Sequence, residues 1–284
     1  MQQPSGTPVE IQFAARGGGA RWHPQAAIAG SIGLHIAAPA GVIVAPETWP
    51  WALAAIAGNH LLLTIAGMCP RSRALGPNLT RLPDAAGKRM EIALTFDDGP
   101  DPDVTPRVLD LLDAHAARAT FFCVGEAAAR HPALCRDIAA RGHGVENHSC
   151  RHLSAFAMLG PRGMRDEIGG AQAILTELGG RAPQFFRPPG GLRNPLLDPV
   201  LHDAGLRLVS WTRRGFDTRI SDARRVAARL LDGLAAADIL LLHDGHAART
   251  ASGSPVVLDA LPRVLERVES LGLRTIALHE AVYP

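Results

Sequence analysis

Between residue 91 and the C-terminus the chain alternates short apolar runs with amphipathic stretches, and few folds accept that pattern. The runs EIALTF, ATFFCVG, HGVEN, PQFFR, LRLVSW, DILLLHD and LRTIAL read as strands. Their continuous apolar character suits a sheet covered on both faces. Between them, TPRVLDLLDAHAAR, EAAARHPALCRDIAARG, PRGMRDEIGGAQAILTELG, NPLLDPVLHDAG, DARRVAARLLDGLA and VVLDALPRVLERVESLG read as helices. The first carries Thr105 as a candidate N-cap and Pro106 at its first position. About seven strands with about six intervening helices, in strict order, imply an α/β architecture: a distorted barrel of parallel strands with helices outside it.

The polar residues fall at the strand ends. Asp97 and Asp98 follow the first run, His148 the third, Arg187 the fourth, Trp211 and soon Asp217 the fifth, and His243 with Asp244 the sixth. In a parallel barrel such positions gather at one face, where active sites are built. Two adjacent carboxylates at the end of a buried strand are tolerable when a cation neutralises one and the other works as a base. The plainer reading of Asp-Asp-Gly-Pro is a turn. His148 and His152, four apart in NHSCRH, would share one face of a helical turn, a two-histidine metal spacing. With one carboxylate from Asp97 and Asp98 they make the three protein ligands that catalytic zinc uses, leaving a position for water. A zinc peptidase does not fit, because Ser149 stands where an HExxH glutamate would be. For His243-Asp244 the alternative is a helix N-cap at Asp244 beside a structural histidine. FFRPPGG also reads as a Pro/Gly loop with an exposed arginine.

The N-terminal part has a different character. No charged residue occurs from Trp22 to Pro46, or from Thr48 to Pro70; Glu47 alone interrupts. Each run is long enough to span a bilayer, which takes about 20 residues. The second, 48–70, carries Trp49 and Trp51 where interfacial aromatics belong. The first, 24–46, is rich in Ala and Gly and holds His35 and Pro39. The alternatives are a pair of buried Ala-rich core helices, or a signal peptide cleaved in APAG near Ala40, leaving the second run as a stop-transfer segment. Arg16 and Arg21 precede the pair, and Arg71, Arg73 and Arg81 follow it. Positive flanks stay cytoplasmic. A hairpin, like the signal-peptide alternative, then leaves the later part of the chain on the cytoplasmic face of a bacterial inner membrane. The expected division is a membrane-anchoring region with linker at 1–87 and a catalytic domain at 88–284.

Composition narrows the function. A hydrophobic content of 47 % argues against disorder. A net charge of +2, with scattered basic residues, gives no case for a nucleic-acid partner. Cys69, Cys123, Cys135 and Cys150 form no CxxC pair and read as a reduced, cytosolic set rather than a disulfide framework.

With these residues assembled, residues 90–280 resemble the polysaccharide deacetylase (NodB-homology) family, the family 4 carbohydrate esterases. Five motifs stand in family order: TFDDG, HSCRH, RPPGG, SWTRRGFDT and LLLHD. The first, second and fifth match closely. The resemblance implies that Asp98, His148 and His152 hold a divalent metal, usually zinc, and that Asp97 is the general base. It further implies that His243 protonates the departing amine, Arg187 orients Asp97, and Asp217 pairs with His243. The Gly190 backbone N–H would help stabilise an oxyanion, and Trp211 and Leu241 would line the pocket for the acetyl methyl. Two departures touch the sugar-binding side: Gly190 stands where the family often has Tyr, and the fourth motif has Arg214 near its usual Asp and Thr218 in place of a Trp. The implied activity is removal of an N-acetyl group from an acetamido sugar. With a membrane anchor, a lipid-linked or glycan-precursor substrate is expected. The alternatives are deformylation of a lipid-linked aminosugar, as in a membrane-associated relative, and a non-catalytic sugar-binding module. Degenerate relatives of that last kind lose the base, a metal ligand or the terminal histidine, and none is lost here.

Overall fold

The computed structural model describes residues 21–282. Arg16, one of the flanking arginines, lies outside the described residues. Helices α1 (Ala26–Val44) and α2 (Trp49–Met68), joined by a 3-10 turn at Pro46–Thr48, fold back on each other. Polar groups pair inside the hairpin: Asn59 Nδ2 donates to Ser31 Oγ at 2.8 Å, and the Nε2 atoms of His35 and His60 lie 3.2 Å apart. The outer faces stay uncovered. Only Ile28 and Gly67 are buried on these helices, while Trp49, Trp51, Leu53, Leu61 and Leu62 are exposed. The reading as buried core helices is therefore excluded. The segments Ala26–Val44 and Pro46–Met68 have the length and composition of membrane spans, at 19 and 23 residues.

The linker is packed rather than loose. Leu79 bridges Val209, Leu82 N–H donates to Ala237 O, and Leu75, Leu82 and Ala86 are buried. A short α3 (Asp84–Lys88) leads into β1 (Glu91–Asp97), all seven residues of which are buried. The chain continues through α4 (Thr105–Ala114), β2 (Ala119–Cys123), α5 (Gly125–Arg130), α6 (Pro132–Ala140), β3 (Gly144–Asn147), α7 (Pro161–Gly179), β4 (Phe185–Phe186) and α8 (Leu197–Asp203). It ends with β5 (Arg207–Leu208), β6 (Arg213–Arg214), α9 (Ala223–Leu231), β7 (Ile239–His243), α10 (Val256–Ser270), β8 (Arg274–Thr275) and α11 (Leu278–Val282).

Every strand pair is parallel, in the order β5-β4-β3-β2-β1-β7-β6, with β8 against the start of β1. The expected strand LRLVSW is broken. The stretch from Arg207 to Arg214 pairs with β4 at its start and with β7 at its end, so the sheet curls round on itself as a distorted barrel. At the break, Arg187 donates to the carbonyls of Val209 and Ser210, standing in for a neighbouring strand. Outside, α10 buries eight side chains, among them Val257, Leu261, Val264 and Val268, in the same core as Phe96 and Phe121. Those two rings stack at 5.0 Å.

Some element boundaries differ from expectation. EAAARHPALCRDIAARG divides at His131, because Pro132 has no N–H and restricts the residue before it. Thr105 is the first helical residue of α4 and not its cap; its hydroxyl accepts from Asp101 N–H and donates to Asp244 Oδ2. LRTIAL gives only the two residues of β8 before α11.

Candidate active site

Residues from β1, β3, β4, the β5–β6 stretch and β7 line one cavity of about 330 Å³, among them Asp97, Asp98, His148, Gly190, Trp211 and His243. His152 and Leu241 line it too. Arg187 and Asp217 lie directly behind the wall, fully buried. The cavity is therefore where the strand-end positions meet.

The metal-type cluster is Asp98, His148 and His152, whose ligand atoms all lie within 4.8 Å of one another. Nε2 of His148 and Nε2 of His152 sit 3.2 and 3.1 Å from Asp98 Oδ1. Nδ1 of His148 donates to Arg187 O at 2.7 Å, so its Nε2 is left as the acceptor that points into the site. The histidines do not share a helical turn. They lie on a loop after β3, where His152 N–H donates to Ser149 Oγ and Ser149 N–H to Asn147 Oδ1. Asp98, Ser149 and His152 hold φ of 77, 64 and 53°, a region that side-chain-bearing residues seldom adopt. Backbone held in this way marks a site whose surroundings over-determine it. Burial works to raise the Asp98 carboxyl, but the imidazoles of His148, His152 and His246 close around it hold it well below the usual carboxylate range. The set fits a divalent ion: two imidazoles and one carboxylate converge, with their acceptor atoms inward.

Asp97 faces the same cavity with its other oxygen engaged. Arg187 Nη1 donates to Asp97 Oδ1 at 2.6 Å and to Thr95 Oγ1 at 2.9 Å. The guanidinium packs 4.1 Å from the centroid of the Phe122 ring and is fully buried, so FFRPPGG does not carry an exposed arginine. Burial lowers the Arg187 pKa, and Asp97 works against that.

Across the cavity, Asp217 accepts from His243 twice, at Oδ2 from the backbone N–H (2.7 Å) and at Oδ1 from Nδ1 (2.8 Å). Burial alone would lower the imidazole; the Asp217 charge and hydrogen bond outweigh it and raise its pKa. Asp244 caps no helix. Its carboxylate is buried, accepts from Thr105, and is pushed up to about 7 by burial, with Asp98 and Asp97 adding to the rise.

Gly191 has φ of 74°, and a Cβ there would lie 2.6 Å from the Trp211 ring, so only glycine lets the loop close against the tryptophan. Arg214 and Thr218, the two departures in the fourth motif, both line the cavity, with the Arg214 guanidinium 5.3 Å from the Trp211 ring. They place a cation where the resemblance leads one to expect an acid. Sequence reasoning missed His246, whose exposed ring lies on the rim with Nδ1 3.4 Å from Asp98 Oδ2. Its signal was its place three residues after His243, on the loop that follows β7.

A family model described as polysaccharide deacetylase matches residues 84–209. The chain is 34 % identical over 191 residues to a peptidoglycan-N-acetylglucosamine deacetylase of Bacillus cereus, covering 66 % of this chain and 86 % of that one. It is 36 % identical over 155 residues to a chitooligosaccharide deacetylase of Azorhizobium caulinodans, covering 54 % and 73 %. Among solved structures, a family 4 carbohydrate esterase from Streptomyces lividans matches with a TM-score of 0.60 and 31 % identity, over 67 % of this chain and 95 % of that one. Fold, cavity and sequence agree, and the chain belongs to the polysaccharide deacetylase family, the family 4 carbohydrate esterases.

Proposed function

We propose that this chain is a metal-dependent N-deacetylase acting on an acetamido sugar held at the inner membrane, either lipid-linked or a glycan precursor. The observation that carries this is the Asp98, His148 and His152 cluster opening onto the same cavity as an arginine-held Asp97. A divalent ion held there, most simply zinc, would supply Lewis-acid chemistry to the acyl carbonyl and the attacking water. Asp97 accepts the proton of that water as its oxygen bonds to the carbonyl carbon. Arg187 keeps the Asp97 carboxylate in place, and the Gly190 backbone N–H faces the developing oxyanion. As the C–N bond breaks, His243 gives its proton to the amine, and acetate leaves. Trp211 and Leu241 form the apolar wall that takes the acyl methyl.

The decisive experiment is acetate release by the detergent-purified full chain. A polyprenyl-phosphate-linked N-acetyl sugar is compared with a soluble chito-oligosaccharide, before and after chelation. Release from the lipid-linked sugar, lost on chelation and restored by zinc, is the expected result. Release from the soluble sugar alone would remove the membrane substrate and keep the deacetylase. No acetate from either, with zinc bound, would overturn the deacetylase reading in favour of a formyl substrate or a binding module.

The pH profile tests the acid. A histidine whose pKa is raised in the folded protein keeps its proton up to that raised value and loses it above. Catalysis by protonated His243 therefore fails on the alkaline side. In Asp217→Asn the raising charge is gone and burial remains, so the alkaline limb of kcat moves to lower pH. A limb that stays in place would remove His243 as the acid.

The uncovered apolar hairpin and the arginines at its ends, Arg21, Arg71 and Arg73, support an anchoring region at 1–87 with the catalytic domain at 88–284 on the cytoplasmic side. A reporter active only in the periplasm, fused after Pro284, is expected to be silent, and an active fusion would reverse the orientation.

A further inference from the structure

The end of α2 does not lead into free linker. Gly67 O accepts from Arg193 N–H at 3.2 Å, and a Cβ on Gly67 would lie 2.1 Å from Arg193 O. Only glycine lets the helix lie against that loop. Arg193 in turn donates to Ser72 O at 2.6 Å, Ser210 Oγ donates to Pro70 O, and Arg71 Nη1 donates to Thr212 O at 3.2 Å. The receiving residues follow β4 and β5, at the barrel face that carries the cavity. Pro70 also packs on Gly191, whose other neighbour is the Trp211 ring. One glycine separates the chain leaving α2 from the wall of the catalytic cavity.

The same edge is apolar where the rest of the barrel is not. Outside the hairpin, four large hydrophobic residues are exposed among those described: Met90, Met158, Leu192 and Leu196. Met90 precedes β1, at the opposite end of the barrel. The other three lie on two loops at the cavity end of the barrel, after β3 and after β4. Asn194 Nδ2 donates to Ala157 O and Leu159 O and ties their two loops to each other, while Leu192 packs near Gly190. Charged and amphipathic residues lie close by at the hairpin ends. Trp22 Nε1 donates to Asp198 Oδ2 at 2.8 Å, beside a second cavity of about 710 Å³ that Arg21, His23 and Arg73 help to line. An interfacial tryptophan with cations at headgroup level is the expected composition of a membrane-surface belt.

We infer that the rim formed by Met158, Leu192 and Leu196 is a lipid-contacting surface, seated in the interfacial layer of the bilayer that α2 leaves, so that the catalytic cavity opens at the membrane surface. The inference rests on the anchoring proposed above. It adds to it a second membrane contact made by the catalytic domain itself, and a reason for the cavity to take a sugar whose carrier stays in the bilayer. The occupant is lipid rather than another protein because the patch is continuous with the exit of a bilayer-length apolar helix.

The test is spin-label accessibility in the full chain reconstituted in nanodiscs of mixed neutral and anionic phospholipid. Cys69 and Cys150 are first replaced by Ser, and the buried Cys123 and Cys135 are kept. Single labels are then placed through Met158→Cys, Leu196→Cys, Met90→Cys and Leu53→Cys. Labels at 158 and 196 are expected to be roughly 5-fold more shielded than the label at 90 from a water-soluble nickel complex, with oxygen accessibility raised, as for a group a few ångströms into the interface. If 158 and 196 match 90 while 53 is lipid-shielded, the anchor stands and the rim inference falls. If 53 is also open to nickel, the anchoring itself is overturned, and the rim with it. Shielding from nickel and oxygen together would mark a protein contact and overturn the assignment to lipid.

Discussion

Asp97→Asn lowers turnover by roughly 10³-fold, within the range for loss of a positioned general base, while zinc binding is retained. The separation of the two effects follows from the geometry. Asp98, His148 and His152 converge without Asp97, whose nearest approach to a histidine of the set is 3.9 Å from His148 Nε2. Asparagine keeps an oxygen for Arg187 but cannot take a proton from water at neutral pH. Metal stoichiometry and turnover measured on one preparation decide the matter. Loss of zinc together with activity would make Asp97 a ligand. Retained activity would make another group the base, and His243 would then be the first to examine.

Arg187→Met destabilises the protein by about 3–5 kcal/mol and removes most of its activity, because breaking a buried pair leaves its partner's charge uncompensated. Arg187 has no exposed surface, and it binds Asp97, Thr95 and the carbonyls of Val209 and Ser210 at once. Arg187→Lys restores the charge but not the planar fork, so it recovers part of the stability and little of the turnover. In the double variant with Asp97→Asn the two losses are less than additive, since Asp97→Asn removes the charge that the loss of Arg187 would leave uncompensated. Thermal unfolding of the parent, the two Arg187 variants, Asp97→Asn and the double variant in one detergent reads this directly. A Met variant within about 1 kcal/mol of the parent, the size of an ordinary net hydrogen bond, would reduce Arg187 to a spectator.

The strand ends were legible because the sequence breaks the apolar pattern there. Asp97-Asp98 after EIALTF and His243 after ILLL are polar where a buried strand should continue or turn, and position alone assigns them to one face. The hairpin was legible from its lack of charge. Other features depend on contacts that a local pattern does not encode. FFRPPGG reads equally well as an exposed loop, and only the barrel reveals that Arg187 occupies the gap between β5 and β6. The HxxxH spacing suggested a helical turn, yet the loop brings His148 and His152 together through a left-handed Ser149. The packing of the linker through Leu75, Leu79 and Leu82 has no periodicity long enough to announce it, and His246 reaches the rim only because the loop after β7 bends back.

That linker has one more consequence. A long flexible tether lets a tethered domain sweep a volume and address targets at many heights. Here the segment from Pro70 to α3 is fastened to Ser210, Thr212, Val209 and Ala237, which leaves it little slack. For a chain anchored as proposed, the reactive centre then travels in two dimensions at a fixed elevation. Under the proposed function the fold would act as a ruler: the sugar nearest the carrier would come within range, and units farther along a growing glycan would pass above it.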